Sequence, residues 1–185
     1  MFCESSNSLS NLREGYVKLL SEELGKWLEL LLPNYTPDIS VQYFKGWNSK
    51  KELEEILLES REKEFVKGYS QAGPQKFDVR FLHKGLAVES SLSRGQQKLF
   101  LLALTLAQSK LIEKVKQVKP ILLIDDVGAE LDTHSRSRFA KAINSLESQV
   151  IITAIEKNAL DSIIPTDNNF KMFHVEHGKL SAISE

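Results

Sequence analysis

Leu92-Ser93-Arg94-Gly95-Gln96-Gln97-Lys98, followed one helix length later by Ile121-Leu122-Leu123-Ile124-Asp125-Asp126, decides the reading of this chain. Ser93 has the oxygen and the small size of a helix N-cap. Gln96, three residues on, completes a capping box. Leu99, Leu102, Ala103 and Leu106 then recur at helical spacing. The start of such a helix presents unpaired N–H groups and a partial positive charge. Gly95 has no Cβ, so a phosphate can approach the backbone closely and this helix end can hold an anion. The plainer alternative is an ordinary capped helix.

Ile121–Ile124 is a short, continuous apolar run after Pro120. Such runs suit central strands of a covered parallel sheet. Ligands of open α/β sheets gather beyond the carboxyl ends of the strands, where Asp125 and Asp126 fall. One carboxylate there can hold Mg²⁺ and a second can orient an attacking water. The alternative is a strand followed by an Asp-rich turn. Asp132 is a candidate N-cap for a helix bearing Phe139, Ile143 and Leu146, and Val150–Ala154 forms a second apolar strand. The order and spacing of these parts are more specific than any one alone.

The arrangement resembles the signature motif, Walker B strand and D-loop (Gly128-Ala129-Glu130-Leu131-Asp132) of ABC-type ATPases. It resembles most closely the carboxyl-terminal part of the RecF family, bacterial recombination mediators related to SMC ATPases. Tyr69-Ser70-Gln71-Ala72-Gly73-Pro74-Gln75-Lys76 is similar to that family's glycine-proline loop before the signature. Tyr43–Trp47 resembles a segment further upstream, and Lys171–Leu180 its closing hairpin. The likeness runs from about Gly15 to the end. Gln75 departs from the histidine of many relatives.

The fold this implies is α/β, the carboxyl-terminal part of an ABC/SMC-like P-loop ATPase domain with a partial helical arm and β-hairpins. A helical arm over 1–67 and an ATPase lobe over 68–185 are expected, with the boundary near 65–72. The resemblance implies ATP held between two subunits, with Ser93 and Gly95 reaching the γ-phosphate in trans and Arg94, Gln96 and Lys98 in support. It implies Mg²⁺ on Asp125, a catalytic role for Asp126, and Ala129 and Asp132 at the dimer seam. No histidine follows the second strand at Thr153-Ala154-Ile155, where transporters place a switch residue. Single-stranded and gapped duplex DNA, RecO- and RecR-like proteins, and an ATP-dependent homodimer or a complementary amino-terminal half are the implied partners.

One part is missing from the pattern. A Walker A loop reads G-x-x-x-x-G-K-[ST]; Gly68 and Gly73 have the spacing, but Pro74-Gln75 follow. Proline removes an N–H donor, and no lysine serves the phosphates. ATP binding therefore requires a complementary half. The alternative function is a non-catalytic fragment that acts through partner binding. An ABC transporter ATPase fits poorly with the long helices and hairpins around the signature.

With 42% hydrophobic and 26% charged residues, 185 residues can build a sizeable core. A net charge of −1 gives no global drive toward nucleic acid. Local basic clusters at Arg136, Arg138 and Lys141, and at Lys110, Lys114, Lys116 and Lys119, are candidate DNA contacts, with solvated helix faces as the plainer reading. A single cysteine excludes an internal disulfide, and the histidines lack zinc-site spacing. A soluble, cytoplasmic protein is expected. Locally, the sequence predicts frayed residues 1–8, a helix over Leu9–Leu32, a strand at Ile39–Tyr43, and a helix capped by Ser49 and Glu52. Hairpins are expected at Phe77–Val88 and around His177-Gly178.

Overall fold

Helix α1 spans Phe2–Leu31, and its buried residues Val17, Leu20, Leu24, Leu28 and Leu31 follow one helical stripe. In the computed structural model, which describes residues 1–126, 131–161, 163–164 and 170–183, this stripe packs on helix α4, Arg94–Lys116. Leu99, Ala103, Leu106 and Ala107 supply the facing stripe and are at most 2% exposed. Each buried leucine contributes about 1.5–3 kcal/mol, so this helix pair forms the main core of its unit.

The helix begins earlier than the sequence predicts. Residues 4–8 are polar, yet Ser6 is buried, as is Ser10 one turn on. The Ser6 hydroxyl donates to the Phe2 carbonyl at 2.8 Å, and Ser10 Oγ lies 3.2 Å from the Tyr43 hydroxyl. Cys3 packs against the cluster of Trp47, Leu53 and Ala72. Small side chains that satisfy their own hydroxyls let the first turns dock instead of fraying.

Strand β1, Ile39–Phe44, pairs antiparallel with β2, Asp78–His83, which pairs in turn with β3, Leu86–Ala87. The β2–β3 hairpin turns at Lys84 (φ 52°) and Gly85 (φ 80°), the double positive φ that a tight two-residue turn requires. Helix α2 spans Leu53–Lys67, with Leu53 buried and Ile56 and Leu57 against the same cluster as Trp47. Its expected capping box does not form. The N-cap is Glu52, and Asn48 instead closes the preceding turn by accepting the Lys50 amide at 3.0 Å. Gly46 lies so close to the loop before β2 that a Cβ would sit 2.1 Å from the Gly73 carbonyl oxygen. Short helix α3, Val88–Ser91, leads into α4.

Residues Met1–Val118 and Lys119–Glu185 are the two compact units of the chain. This differs from the expected division at 67/68, because β1 pairs with β2 and α1 packs on α4 across that position.

In the second unit, β4 (Leu122–Ile124) and β5 (Val150–Ile152) pair in parallel, Leu122 opposite Val150 and Ile124 opposite Ile152. Helix α5, Thr133–Asn144, lies between them in sequence and buries Phe139, Ala140, Ala142 and Ile143. Leu146 falls past its end. Leu123 is 74% exposed and its neighbour Ile151 48% exposed, so the expected coverage of both sheet faces is absent among the described residues. A final hairpin of β6 (Met172–Glu176) and β7 (Lys179–Ile183) turns at His177-Gly178, as the sequence predicts.

Candidate functional site

Ser93 is the N-cap of α4 and the predicted capping box is complete. Its oxygen accepts the Gln96 amide at 3.4 Å, and the Ser93 amide donates to Gln96 Oε1 at 2.9 Å. The Gln96 side-chain amide donates in turn to the Tyr35 hydroxyl at 2.6 Å. Gln97 ties down the preceding loop, donating to the Glu89 and Leu92 carbonyls at 2.9 and 2.8 Å. Ser93 and Arg94 are exposed, while Gly95, Gln96 and Lys98 are half-buried. The Ser93 hydroxyl keeps its own hydrogen for donation. A fixed helix N-terminus with a hydroxyl donor suits a phosphate.

Asp125 and Asp126 follow β4 directly. Thr153, the residue after β5, donates its hydroxyl to Asp125 Oδ1 and accepts the Asp126 amide at 3.1 Å. Its own amide donates to the Ile124 carbonyl at 3.0 Å. Asp126 takes a positive φ of 50°, a conformation that aspartate tolerates better than most residues. The threonine bond leaves Oδ2 of Asp125 for a hard cation. No group of three or more His, Cys, Asp or Glu side chains converges among the described residues. One fixed carboxylate still fits Mg²⁺, which takes its other oxygens from phosphates and water.

Thr153 is a contributor that the motif reading missed. Its signal was positional: it is the first polar residue after an apolar strand that neighbours β4.

Ala129, with Val127, Gly128 and Glu130, lies outside the described residues. Asp132 is the N-cap of α5 and accepts the Ser135 amide at 2.7 Å. That amide bond is the largest influence on its carboxyl and outweighs partial desolvation, holding it below the usual aspartate range.

Gly68–Gly73 is no phosphate loop. Gly68 closes α2 in the left-handed conformation, its amide on the Glu64 carbonyl at 2.8 Å. The Gly73 amide donates to Gly46 at 3.1 Å. The Glu64 carboxylate accepts the Gln71 amide at 2.7 Å, the Ser70 hydroxyl at 3.0 Å and the Ser60 hydroxyl at 3.1 Å. These bonds, the Gln71 amide foremost, hold its carboxyl below the usual range. An internal anion sits where a phosphate would need the same donors.

The basic cluster at the end of α4 is largely neutralised. Lys110 pairs with Glu113 at 2.7 Å, Lys114 with Glu23 at 2.8 Å, and Lys119 with Glu147 at 2.7 Å. Each of these three lysines thus has a carboxylate partner within the chain. No helix among the described residues is long and apolar enough to cross a membrane.

These parts define the class: an α/β chain with the fold of RecF and SMC ATPase heads. A solved structure of the recombination mediator protein RecF with ATP matches 98% of this chain and 48% of its own, with TM-score 0.75 at 21% identity. A solved SMC ATPase matches 95% of this chain and 89% of its own, with TM-score 0.52 at 20% identity. Residues 18–181 match the family model described as RecF/RecN/SMC N terminal domain, and the chain belongs to that family. The DNA replication and repair protein RecF of Colwellia psychrerythraea is 49% identical over 194 residues, covering 100% of this chain and 52% of the relative. Its namesake from Coxiella burnetii (strain CbuG_Q212) is 38% identical over 183 residues, covering 99% and 50%. The chain thus spans about half the length of the relatives it matches.

Proposed function

We propose that this chain is the signature- and Walker B-bearing, carboxyl-terminal half of a RecF-type ATPase that acts on DNA in replication and repair. The observation that carries the reading is the end of β4. There, one threonine hydroxyl from the parallel neighbour binds both the Asp125 carboxylate and the Asp126 amide. The bond fixes the Asp125 carboxylate, and the held main chain of Asp126 sets a second carboxylate beside it. In this reading Asp125 holds Mg²⁺, which screens phosphate charge, and Asp126 accepts a proton from the attacking water. An aspartate in place of the longer glutamate of many relatives in the ABC class suits slow, switch-like hydrolysis.

Ser93 and Gly95 meet the γ-phosphate of a nucleotide bound by another subunit, with Arg94, Gln96 and Lys98 beside them. Ala129 and Asp132 lie at that seam. The nucleotide's phosphate cradle comes from a complementary Walker A half, because Gly68, Gln71 and Gly73 already spend their amides and the segment holds Glu64. The exposed apolar pair Leu123 and Ile151 supports this, since a parallel sheet is stable when both faces are covered. Single-stranded and gapped DNA are the proposed substrates of the assembly, RecO- and RecR-like proteins its partners, and the cytoplasm its place.

The test is sedimentation of the chain with a Walker A-bearing amino-terminal half from a relative. ATP should drive association, and Ser93→Arg should abolish it by placing bulk against the partner's nucleotide. An ATP-induced complex that persists in Ser93→Arg would remove the signature assignment.

A further inference from the structure

We propose that Tyr35 is a positioning residue for the signature, acting through Gln96 to fix Ser93. Its consequence for nucleotide binding rests on the function proposed above. Gln96 is committed at both ends of its side-chain amide. Oε1 accepts the Ser93 amide at 2.9 Å, so the opposite end must carry the Nε2 hydrogens, and these reach the Tyr35 hydroxyl at 2.6 Å. Gln96 is therefore a brace whose polar atoms face the protein, and Ser93 is the group it presents.

Tyr35 is well placed to anchor a brace. It sits in the turn that ends α1, where its amide donates to the Leu32 carbonyl at 2.9 Å. Thr36 doubles that closure, with its amide and hydroxyl on the same carbonyl at 3.1 and 3.0 Å. The Tyr35 ring lies 5.4 Å from the His83 ring, at an interplanar angle of 54°. His83 is buried, with Nδ1 at 2.5 Å from the hydroxyl of Ser91, at the end of the short helix before the signature. Tyr35 and Gln96 are 61 residues apart. The hydroxyl of one aromatic residue thus links the end of the long arm helix to the first turn of α4. A shift at the end of α1 reaches Ser93 through two hydrogen bonds.

Hydrogen exchange on the isolated chain tests the brace without nucleotide. Tyr35→Phe removes only the hydroxyl, and should speed exchange at the Ser93 amide roughly twofold to tenfold, the range for one net hydrogen bond. The Leu106 amide, deep in α4, should not change. In a Gln96→Ala background, Tyr35→Phe should add nothing, because the two act as one unit. Unchanged exchange at Ser93, or equal acceleration at Leu106, overturns the proposal. In the ATP-driven assembly, Tyr35→Phe should need a higher ATP concentration for half-association by a similar factor. Faster exchange with unaltered association, where Ser93→Arg abolishes it, overturns the positioning role. If Ser93→Arg leaves association intact, the nucleotide reading fails, and the exchange result still reports on the brace.

Discussion

Asp126 donates its amide to Thr153 Oγ1 at 3.1 Å, and so the last turn of β4 is held from the neighbouring strand, 27 residues away. Removing this hydroxyl while keeping its shape separates bonding from packing. Thr153→Val should cost about 0.5–1.5 kcal/mol in urea unfolding, and Thr153→Ser should recover most of it. A loss in Thr153→Ser with none in Thr153→Val would mean that the methyl group, not the hydroxyl, matters.

The two adjacent carboxylates should fail in different ways. Asp126→Asn keeps the size and can still hydrogen-bond water but cannot accept a proton, so the assembled complex should stay ATP-bound. Asp125→Asn removes the charge a hard cation prefers and should weaken Mg²⁺-dependent nucleotide binding. Nucleotide affinity and single-turnover hydrolysis distinguish the two. Hydrolysis at the unmodified rate in Asp126→Asn would strip that residue of its role.

Alone, the chain should bind Mg-ATP weakly or not at all. A Walker A loop supplies several backbone donors and a lysine charge, and each lost charge-assisted bond is worth about 1.5–3 kcal/mol. The dissociation constant should rise by orders of magnitude, and calorimetry finding low-micromolar binding would refute this.

Glu23 ties α1 to α4. Its side chain is 8% exposed, and it accepts from Lys114 at 2.8 Å and Lys26 at 2.9 Å. Burial by itself raises its carboxyl, but the two lysines outweigh that and hold it below its ordinary value of 4.5. A lowered folded value means that the pair's stabilisation is present above the unfolded value and is lost as pH falls through the folded one. The lysine ends are 53% and 65% exposed, so solvent screening limits the effect. Glu23→Gln should cost about 1–2 kcal/mol at neutral pH. It should also flatten the loss of stability on acidification below about pH 4.5, measured by urea midpoints across pH.

At Asp132 the direction is the same, since the Ser135 amide favours the charged carboxylate. Melting temperature should fall in Asp132→Ala and be largely kept in Asp132→Asn, which retains an acceptor. The gap between aspartate and asparagine should close in acid. An alanine variant that melts like the original would show that α5 does not use this cap.

What was legible in the sequence was local. The Ser93–Gln96 box, the Asp132 cap, the apolar runs at β4 and β5 and the two hairpins each depend on residues a few positions apart, where turn and capping chemistry dominates. Position 49 shows the limit of the same logic: the helix starts at Leu53 with Glu52 as N-cap, and Asn48 closes the turn before it. Phe2–Ser8 looked too polar to be ordered; a buried serine whose hydroxyl bonds its own helix, as Ser6 does, leaves no periodic apolar signal. The bonds of Tyr35 and Thr153 were hidden for a different reason, although the place of Thr153 after an apolar strand was visible. Their partners lie 61 and 27–28 residues away, and one tyrosine or one threonine carries no pattern until the chain is folded.

β4 and β5 form a sheet of two, and among the described residues each keeps an outer row of backbone N–H and C=O groups beyond the pair. With Leu123 and Ile151 open to water beside those rows, the surface offers both the hydrogen bonds and the apolar grip that an added strand seeks. It does not discriminate between a matching strand and a second copy of itself. The edge that suits an added strand is thus equally a template for self-association.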